Sequence, residues 1–399
     1  MTVMSERAAR RNVFILACCM ALGNSATTLQ ISLGGLVGFL LVDDKAYATL
    51  PVTFVVTGTA IATIPASMLM RQFGRKSGFM LGCLLGSLGS LLAAWGIYQG
   101  SFWLFCAGTL IFGMSTSFVQ LYRFAAADIA SASWKSKAIS WVMIGGLVAA
   151  YAGPEISKHT RDILSPHLFL GSYLAAAALP VLVLALLCFI SIPNPTVAEL
   201  KEKGRPLSEI VRQPALIVAV LSGMFGYGVM NLIMTATPLA MQLCEHPFVA
   251  AATVIQWHVF GMFFPSFFTG NLIARFGVLQ IILVGVVINI ICIAVALSGV
   301  EILHFEVALT LLGIGWNFMY IGGTTLLTET YRPPERAKTQ ALNDFLVFGT
   351  VALASLGSGK LLYHVGWDSV SYSALPFIVM AGLAAGWLLM VRAGGPRTA

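Results

Sequence analysis

The sequence predicts an all-α membrane protein of twelve transmembrane helices, arranged as two pseudo-symmetric halves of six. Three observations predict it. Of 399 residues, 58% are hydrophobic and 10% charged, against roughly 25% charged in soluble domains. Apolar stretches long enough to cross a hydrocarbon core of about 30 Å, at roughly 1.5 Å rise per residue, recur along the whole chain. The longest polar connection, 193–213, leaves six such stretches on each side.

Taken in order, the apolar segments are bounded by charge, Gly and Pro. The first, 12–41, follows Arg7, Arg10 and Arg11 and stops at Asp43. The second, 50–70, ends at Arg71, and the third, 78–98, lies between Lys76 and Gly100. Segment 102–126 ends before Asp128, and 138–157 sits between Lys137 and Lys158. Segment 169–192 closes the first half at Pro193. The second half opens at Pro214 with 214–241, which ends before Glu245, and 249–273 runs from Pro247 to Arg275. Segment 277–298 stops at Gly299, 305–328 at Glu329, 339–362 follows Lys338, and 369–391 ends at Arg392. Lipid offers no partner for backbone polar groups, so each segment must be helical. The expected organisation is 1–192 as an N-terminal six-helix half, 193–213 as a cytoplasmic central loop and 214–399 as a C-terminal six-helix half.

The formal charge of +7 is spread in small groups between spans, with no basic stripe, so it argues for topology and against nucleic acid. With the N-terminus inside, 18 Lys and Arg residues fall in cytoplasmic connections and four outside, Lys45, Lys158, Arg161 and Lys360; Arg123 lies within a span. Both termini are therefore expected in the cytoplasm. Six of the seven cysteines (Cys18, Cys19, Cys83, Cys106, Cys188, Cys292) lie in apolar segments, so no disulfide framework is expected. The first apolar stretch is too long for the core of a cleavable signal peptide.

The halves repeat. Gly58, Ser67, Leu69, Phe73 and Gly74 match Gly261, Gly270, Leu272, Phe276 and Gly277 at a single offset of 203. An even number of spans per half makes these parallel repeats, related by an axis along the membrane normal.

The run Ser67, Leu69, Arg71, Phe73, Gly74, Arg75, Lys76 and its second copy Gly270, Leu272, Arg275, Gly277 resemble the loop between spans 2 and 3 of the major facilitator superfamily of secondary transporters, over essentially the whole chain. That loop usually reads G-x-L-x-D-R-x-G-R-[KR]. Gln72 and other residues here depart from it, and both usual acids are absent, Ala274 standing at the acidic position of the second copy. The surviving basic residues are therefore expected to fix topology only. A narrower resemblance rests on Met230 and Met234 in span 7, followed by His258 and Met262 in span 8. This M-x-x-x-M and H-x-x-x-M pair is similar to the CcoA-like (CalT) copper importers of the bacterial inner membrane, which supply copper for cytochrome oxidase assembly; some relatives have been proposed to carry riboflavin. The resemblance implies copper as cargo, with no resident cofactor.

Chemistry supports the same four residues. A spacing of four puts each pair on one helix face, and three thioethers with one imidazole suit Cu(I) rather than the oxygen-seeking Mg or Ca. A methionine pair at this spacing is expected about 0.6 times by chance and normally packs, so the signal lies in both motifs falling on adjacent spans. His258 is the one histidine within hydrocarbon, the other five falling in connections expected outside, and an ionisable group there requires a partner or a cavity. Cys244 and His246, at the outer end of span 7, are candidates for copper entry. Asp344 and Glu155 are the carboxylates available for proton coupling, with Asp344 expected to pair with Arg336 or Lys338.

A second reading keeps the carrier and changes the cargo to a small organic solute such as riboflavin, lined by Tyr227, Trp257, Trp316, Asn317 and Tyr320. A proton-coupled drug efflux antiporter is a variant of it, suggested by Gly145, Gly146, Gly153 and Pro154 in span 5. No H-E-x-x-H, C-x-x-C, G-x-S-x-G or P-loop pattern occurs, so an enzyme is not expected. The expected partners are copper or a small molecule and membrane lipid, for a monomer in the inner membrane.

Overall fold

A computed structural model describes residues 6–44, 47–48, 50–192 and 204–394. Lys45, three of the 18 residues counted as cytoplasmic (Lys201, Lys203 and Arg397) and most of the central connection lie outside them. Among the described residues, twelve helices are long and apolar enough to cross a membrane: Glu6–Leu41 (span 1), Leu50–Phe73 (span 2), Arg75–Tyr98 (span 3), Phe102–Ile129 (span 4), Lys135–Thr160 (span 5), Leu170–Cys188 (span 6), Pro214–Leu243 (span 7), Val249–Phe276 (span 8), Val278–Ser298 (span 9), Ile302–Leu327 (span 10), Pro333–Val365 (span 11) and Trp367–Ala393 (span 12). No strand occurs among the described residues.

Several helices outrun the apolar segments that predict them, because backbone hydrogen bonding continues into polar ends. Span 1 starts at Glu6, where Arg10 pairs with the Glu6 carboxylate at 2.6 Å, one helical turn away. Three spans are interrupted: span 4 between Gln120 and Tyr122, span 5 at Ile144 and span 8 between Phe263 and Ser266. At the last of these, Pro265 brings no N–H to the helical ladder.

The chain forms two compact units. Unit 1 comprises Met1–Ala130, Trp141–Lys203 and Pro333–Phe345; unit 2 comprises Ser131–Ser140, Gly204–Arg332 and Leu346–Ala399. Span 11 thus starts in unit 1 and continues in unit 2.

In unit 1, span 4 packs on spans 2 and 3, span 3 on span 6, and span 1 on spans 5 and 6. Glycine sets the closest approaches. A Cβ on Gly58 would strike the Leu110 carbonyl, and one on Gly113 the Val55 carbonyl, so spans 2 and 4 meet backbone to backbone. Gly145 and Gly153 lie against the backbone of span 1 at Ala17 and Ser25, which gives the glycines of span 5 a packing role. Unit 2 repeats the arrangement, with span 10 against spans 7, 8 and 9 and span 12 against spans 7 and 9. A Cβ on Gly261 would strike the Thr310 carbonyl, and one on Gly313 the His258 carbonyl and the Met262 nitrogen. The offset of 203 that relates Gly58 to Gly261 also relates Val55 to His258. The sequence repeat therefore marks one backbone contact made twice.

Gly313→Ala is expected to destabilise the protein by about 1–3 kcal/mol, since its methyl would meet backbone that cannot give way. A melting curve of purified protein should fall by roughly 2–4 °C per kcal/mol. Gly349→Ala, in the interior of span 11 with nothing within 4 Å, should leave the melting point at or slightly above that of wild type.

Candidate functional site

Trp316 and Tyr320, four residues apart on span 10, project from one face. Their rings stack at 5.0 Å with 18° between planes. Gly315 and Gly322 lie on another face of the same helix, against Asn289 and Ile282 of span 9, which leaves the aromatic face to other neighbours. Tyr227 of span 7 meets both rings edge-on, at 5.3 and 5.2 Å. Phe263 of span 8 closes on Trp316 at 5.7 Å, and Phe348 of span 11 on Tyr227 at 5.8 Å. All five belong to unit 2.

Trp316 is 1% exposed, and its indole Nε1–H is buried with no hydrogen-bond partner. A buried N–H without an acceptor costs free energy, and here it sits in a wall of π faces. Tyr227 and Phe263 are half-buried, whereas Trp316, Tyr320 and Phe348 are buried. Such a set can stack on a flat ring system and donate one hydrogen bond to it.

Asn317, the next residue, does structural work instead. Its amide donates to the Met262 carbonyl at 2.6 Å and to the Ser266 hydroxyl at 2.7 Å, and its carbonyl oxygen accepts from the Thr269 hydroxyl at 2.7 Å. These bonds bridge the interruption of span 8 and take both amide hydrogens of Asn317 and one of the two acceptor sites on its Oδ1. Trp257 is 45% exposed and contacts Phe260, which stacks on Phe264. These three rings are all partly exposed and make no ring contact with the Tyr227, Trp316, Tyr320 cluster. Of the five residues expected to line an organic cargo, the structure brings together Tyr227, Trp316 and Tyr320; Phe263 and Phe348 complete the cluster.

The thioether and imidazole residues are placed as follows. Met230 is buried and Met234 half-buried on span 7; His258 and Met262 are buried on span 8. His258 is directed toward span 10: its Nδ1 lies 2.8 Å from the Leu309 carbonyl, so Nδ1 carries the proton and Nε2 is the bare acceptor. That Nε2 is buried with no hydrogen-bond partner. On span 7, Gly226, one turn before Met230, packs on Met319 of span 10. Both edges thus adjoin span 10, and spans 7 and 8 touch each other much less. Cys244 caps the end of span 7. His246 Nε2 lies 2.7 Å from the Val300 carbonyl, and its ring contacts Phe305, so it pins one connection to the next.

The charged candidates differ from expectation. Asp344 pairs with Arg123 of span 4 at 2.5 Å rather than with Arg336 or Lys338. The reason is that segment 333–345 belongs to unit 1, which brings span 11 beside span 4. Arg75 is likewise more than a topology signal: it pairs with Asp128 at 2.6 Å and donates to Gln340 at 2.8 Å. Glu155 is half-buried at the end of span 5, with His159 at 3.4 Å and Lys158 at 3.9 Å, and Glu329 pairs with Arg392 at 3.0 Å.

Residues 13–265 match the family model of the Major Facilitator Superfamily. The chain belongs to that superfamily. The riboflavin transporter RfnT of Brucella anthropi is 46% identical over 377 residues, 94% of each chain. The MFS-type transporter YdeG of Bacillus subtilis, itself uncharacterised, is 28% identical over 92% of this chain and 88% of its own. Among solved structures, the superfamily transporter FucP in its outward conformation matches with a TM-score of 0.75 at 16% identity, over 96% of this chain and 99% of its own. The human organic anion transporter MFSD10 matches with a TM-score of 0.75 at 14% identity, over 94% and 99%. These structural likenesses show the shared twelve-helix superfamily fold.

Two neighbouring residues of span 10 should separate folding from binding. Asn317→Leu strands buried groups on span 8, and its melting point should fall by an amount corresponding to about 1–3 kcal/mol for each group left unpaired. Trp316→Phe keeps a ring and removes an N–H that has no partner, so the melting curve of purified Trp316→Phe should stay close to that of wild type.

Proposed function

We propose that this superfamily member is a secondary transporter of the bacterial inner membrane, with both termini in the cytoplasm, whose cargo is a flat heteroaromatic solute of the flavin class. The observation that carries the reading is the Tyr227, Trp316, Tyr320 cluster with its unpartnered indole N–H. A flavin ring is planar and edged with carbonyl and imine acceptors, so stacking and one donated hydrogen bond suffice to hold and orient it. The kinship to a protein named a riboflavin transporter, at 46% identity across nearly the full length of both chains, supports the same cargo.

The test is uptake of labelled riboflavin by cells that cannot make it, at matched membrane abundance. Removing one stacking partner costs about 1–3 kcal/mol, roughly 5- to 150-fold in affinity, so Trp316→Ala should raise KM by that factor and Tyr227→Ala should also raise it. Met230→Ala and Met234→Ala should take up riboflavin as wild type does. Equal uptake by Trp316→Ala and wild type would remove the site.

Copper import through Met230, Met234, His258 and Met262 stands as the second reading, favoured by the bare, buried Nε2 of His258. It predicts that His258→Ala and Met234→Ala lose cellular copper accumulation while Trp316→Ala retains it. Copper levels that are the same in all three strains and in a strain lacking the protein would exclude it.

A further inference from the structure

Two of the buried polar atoms of unit 2 that lack a hydrogen-bond partner have opposite character. The indole Nε1–H of Trp316 can only donate. Nε2 of His258 is left to accept, because Nδ1 of the same ring faces the Leu309 carbonyl at 2.8 Å. Trp316 is 1% exposed and His258 0%. The donor has a use in the flavin-class reading of the cargo, and the acceptor has none there.

The two atoms belong to one stretch of the interface between spans 8 and 10. Leu309, which receives His258, and Trp316 are seven residues apart on span 10, a rise of about 10 Å and a rotation about 20° short of two full turns, so both lie on one face. Span 8 follows that face, with His258 at Leu309 and Phe263 at Trp316. The threonines on the same stretches supply no donor to Nε2. Thr237 of span 7, Thr253 of span 8 and Thr310 of span 10 each have one hydroxyl hydrogen, and each gives it to a carbonyl one turn back in its own helix, at Ile233, Val249 and Glu306. A buried acceptor left unpaired costs free energy, which a hydroxyl brought by a ligand would recover.

We infer that His258 recognises the side chain of the cargo: with a flavin ring stacked at Trp316, Nε2 of His258 accepts a hydrogen bond from a hydroxyl of the polyol tail. The inference rests on the flavin-class reading and deepens it. Riboflavin carries a ring edged with acceptors and a chain of hydroxyl donors, and the site offers a donor and an acceptor in the matching places. Trp316 reads the ring and His258 the tail, so the site selects ring systems that bear a hydroxylated chain over bare ones. One nitrogen lone pair holds one partner, so this use and metal ligation exclude each other in any one state.

The test measures quenching of flavin fluorescence by the purified full-length protein in lipid nanodiscs. It is titrated with riboflavin and with lumiflavin, which has the same ring and a methyl group in place of the tail. Wild-type protein should bind riboflavin about 5- to 100-fold more tightly than lumiflavin, the worth of a hydrogen bond to a buried acceptor that otherwise stays unpaired. His258→Phe keeps a flat ring without an acceptor, so it should lose that preference and leave the dissociation constant of lumiflavin unchanged. Equal weakening of both ligands would mean that His258 only supports the helices, and a preference that survives His258→Phe would mean that the tail is read elsewhere. Either result overturns the inference while the flavin reading stands. Should His258→Phe fail to fold, wild-type protein decides with riboflavin whose tail hydroxyls are methylated, which cannot donate and should bind as weakly as lumiflavin; binding as tight as that of riboflavin would overturn the inference. A folded wild-type protein that quenches neither flavin would remove the cargo reading and this inference with it.

Discussion

Backbone contact between the central helix of each unit and its neighbour is the constraint on which the rest of the structure depends. Gly113 against Val55 in unit 1 and Gly313 against His258 in unit 2 bring two helices so close that neither can rotate without driving backbone into backbone. In lipid, where apolar side chains gain little by leaving one apolar surface for another, this packing and a few interhelical hydrogen bonds hold helices together. Once span 10 is seated on span 8 through Gly313, the directions of its next residues follow. Asn317 faces span 8 and bridges its interruption, while Trp316 and Tyr320 face span 7 and meet Tyr227.

The same contact explains why two chemically suggestive sets share one region. His258 and Met262 occupy the span 8 side of the Gly313 contact, and their backbone is what the glycine touches. The imidazole Nδ1 is directed at the Leu309 carbonyl of span 10, which fixes its tautomer. Trp316 and Tyr320 of the aromatic cluster lie about two and three turns beyond Leu309 on span 10. A carrier has to bind its cargo among helices that can rearrange, and the rings of that cluster come from four different spans of unit 2, so their spacing is sensitive to any shift between those spans.

Much of the fold was legible from hydropathy, because a bilayer requires about 20 apolar residues per crossing and imposes helix on each. The repeat was legible too, since close packing admits little but glycine at positions such as Gly58 and Gly261. What escaped the sequence depends on pairing across long separations. Arg123 and Asp344 are 221 residues apart, and nothing local to either says that span 11 starts inside unit 1. Arg75 finds its acid 53 residues on, at Asp128, so a loop that lacks its usual acids still forms an ion pair. In the cluster, the four-residue spacing of Trp316 and Tyr320 signalled a shared face, but Phe263 and Phe348 carried no mark to set them apart from the other phenylalanines. Trp257 and Asn317 had suitable chemistry and faced elsewhere, which only the rotation of each helix about its axis decides.

Direct binding of riboflavin to the purified protein, followed by quenching of flavin fluorescence, tests the central claim most directly, because stacking on an indole quenches the flavin. The account predicts saturable quenching by wild-type protein, and a dissociation constant raised for Trp316→Phe, which keeps a stackable ring but cannot donate a hydrogen bond. An affinity identical in the two proteins, or the absence of any quenching by a folded wild-type protein, would contradict it.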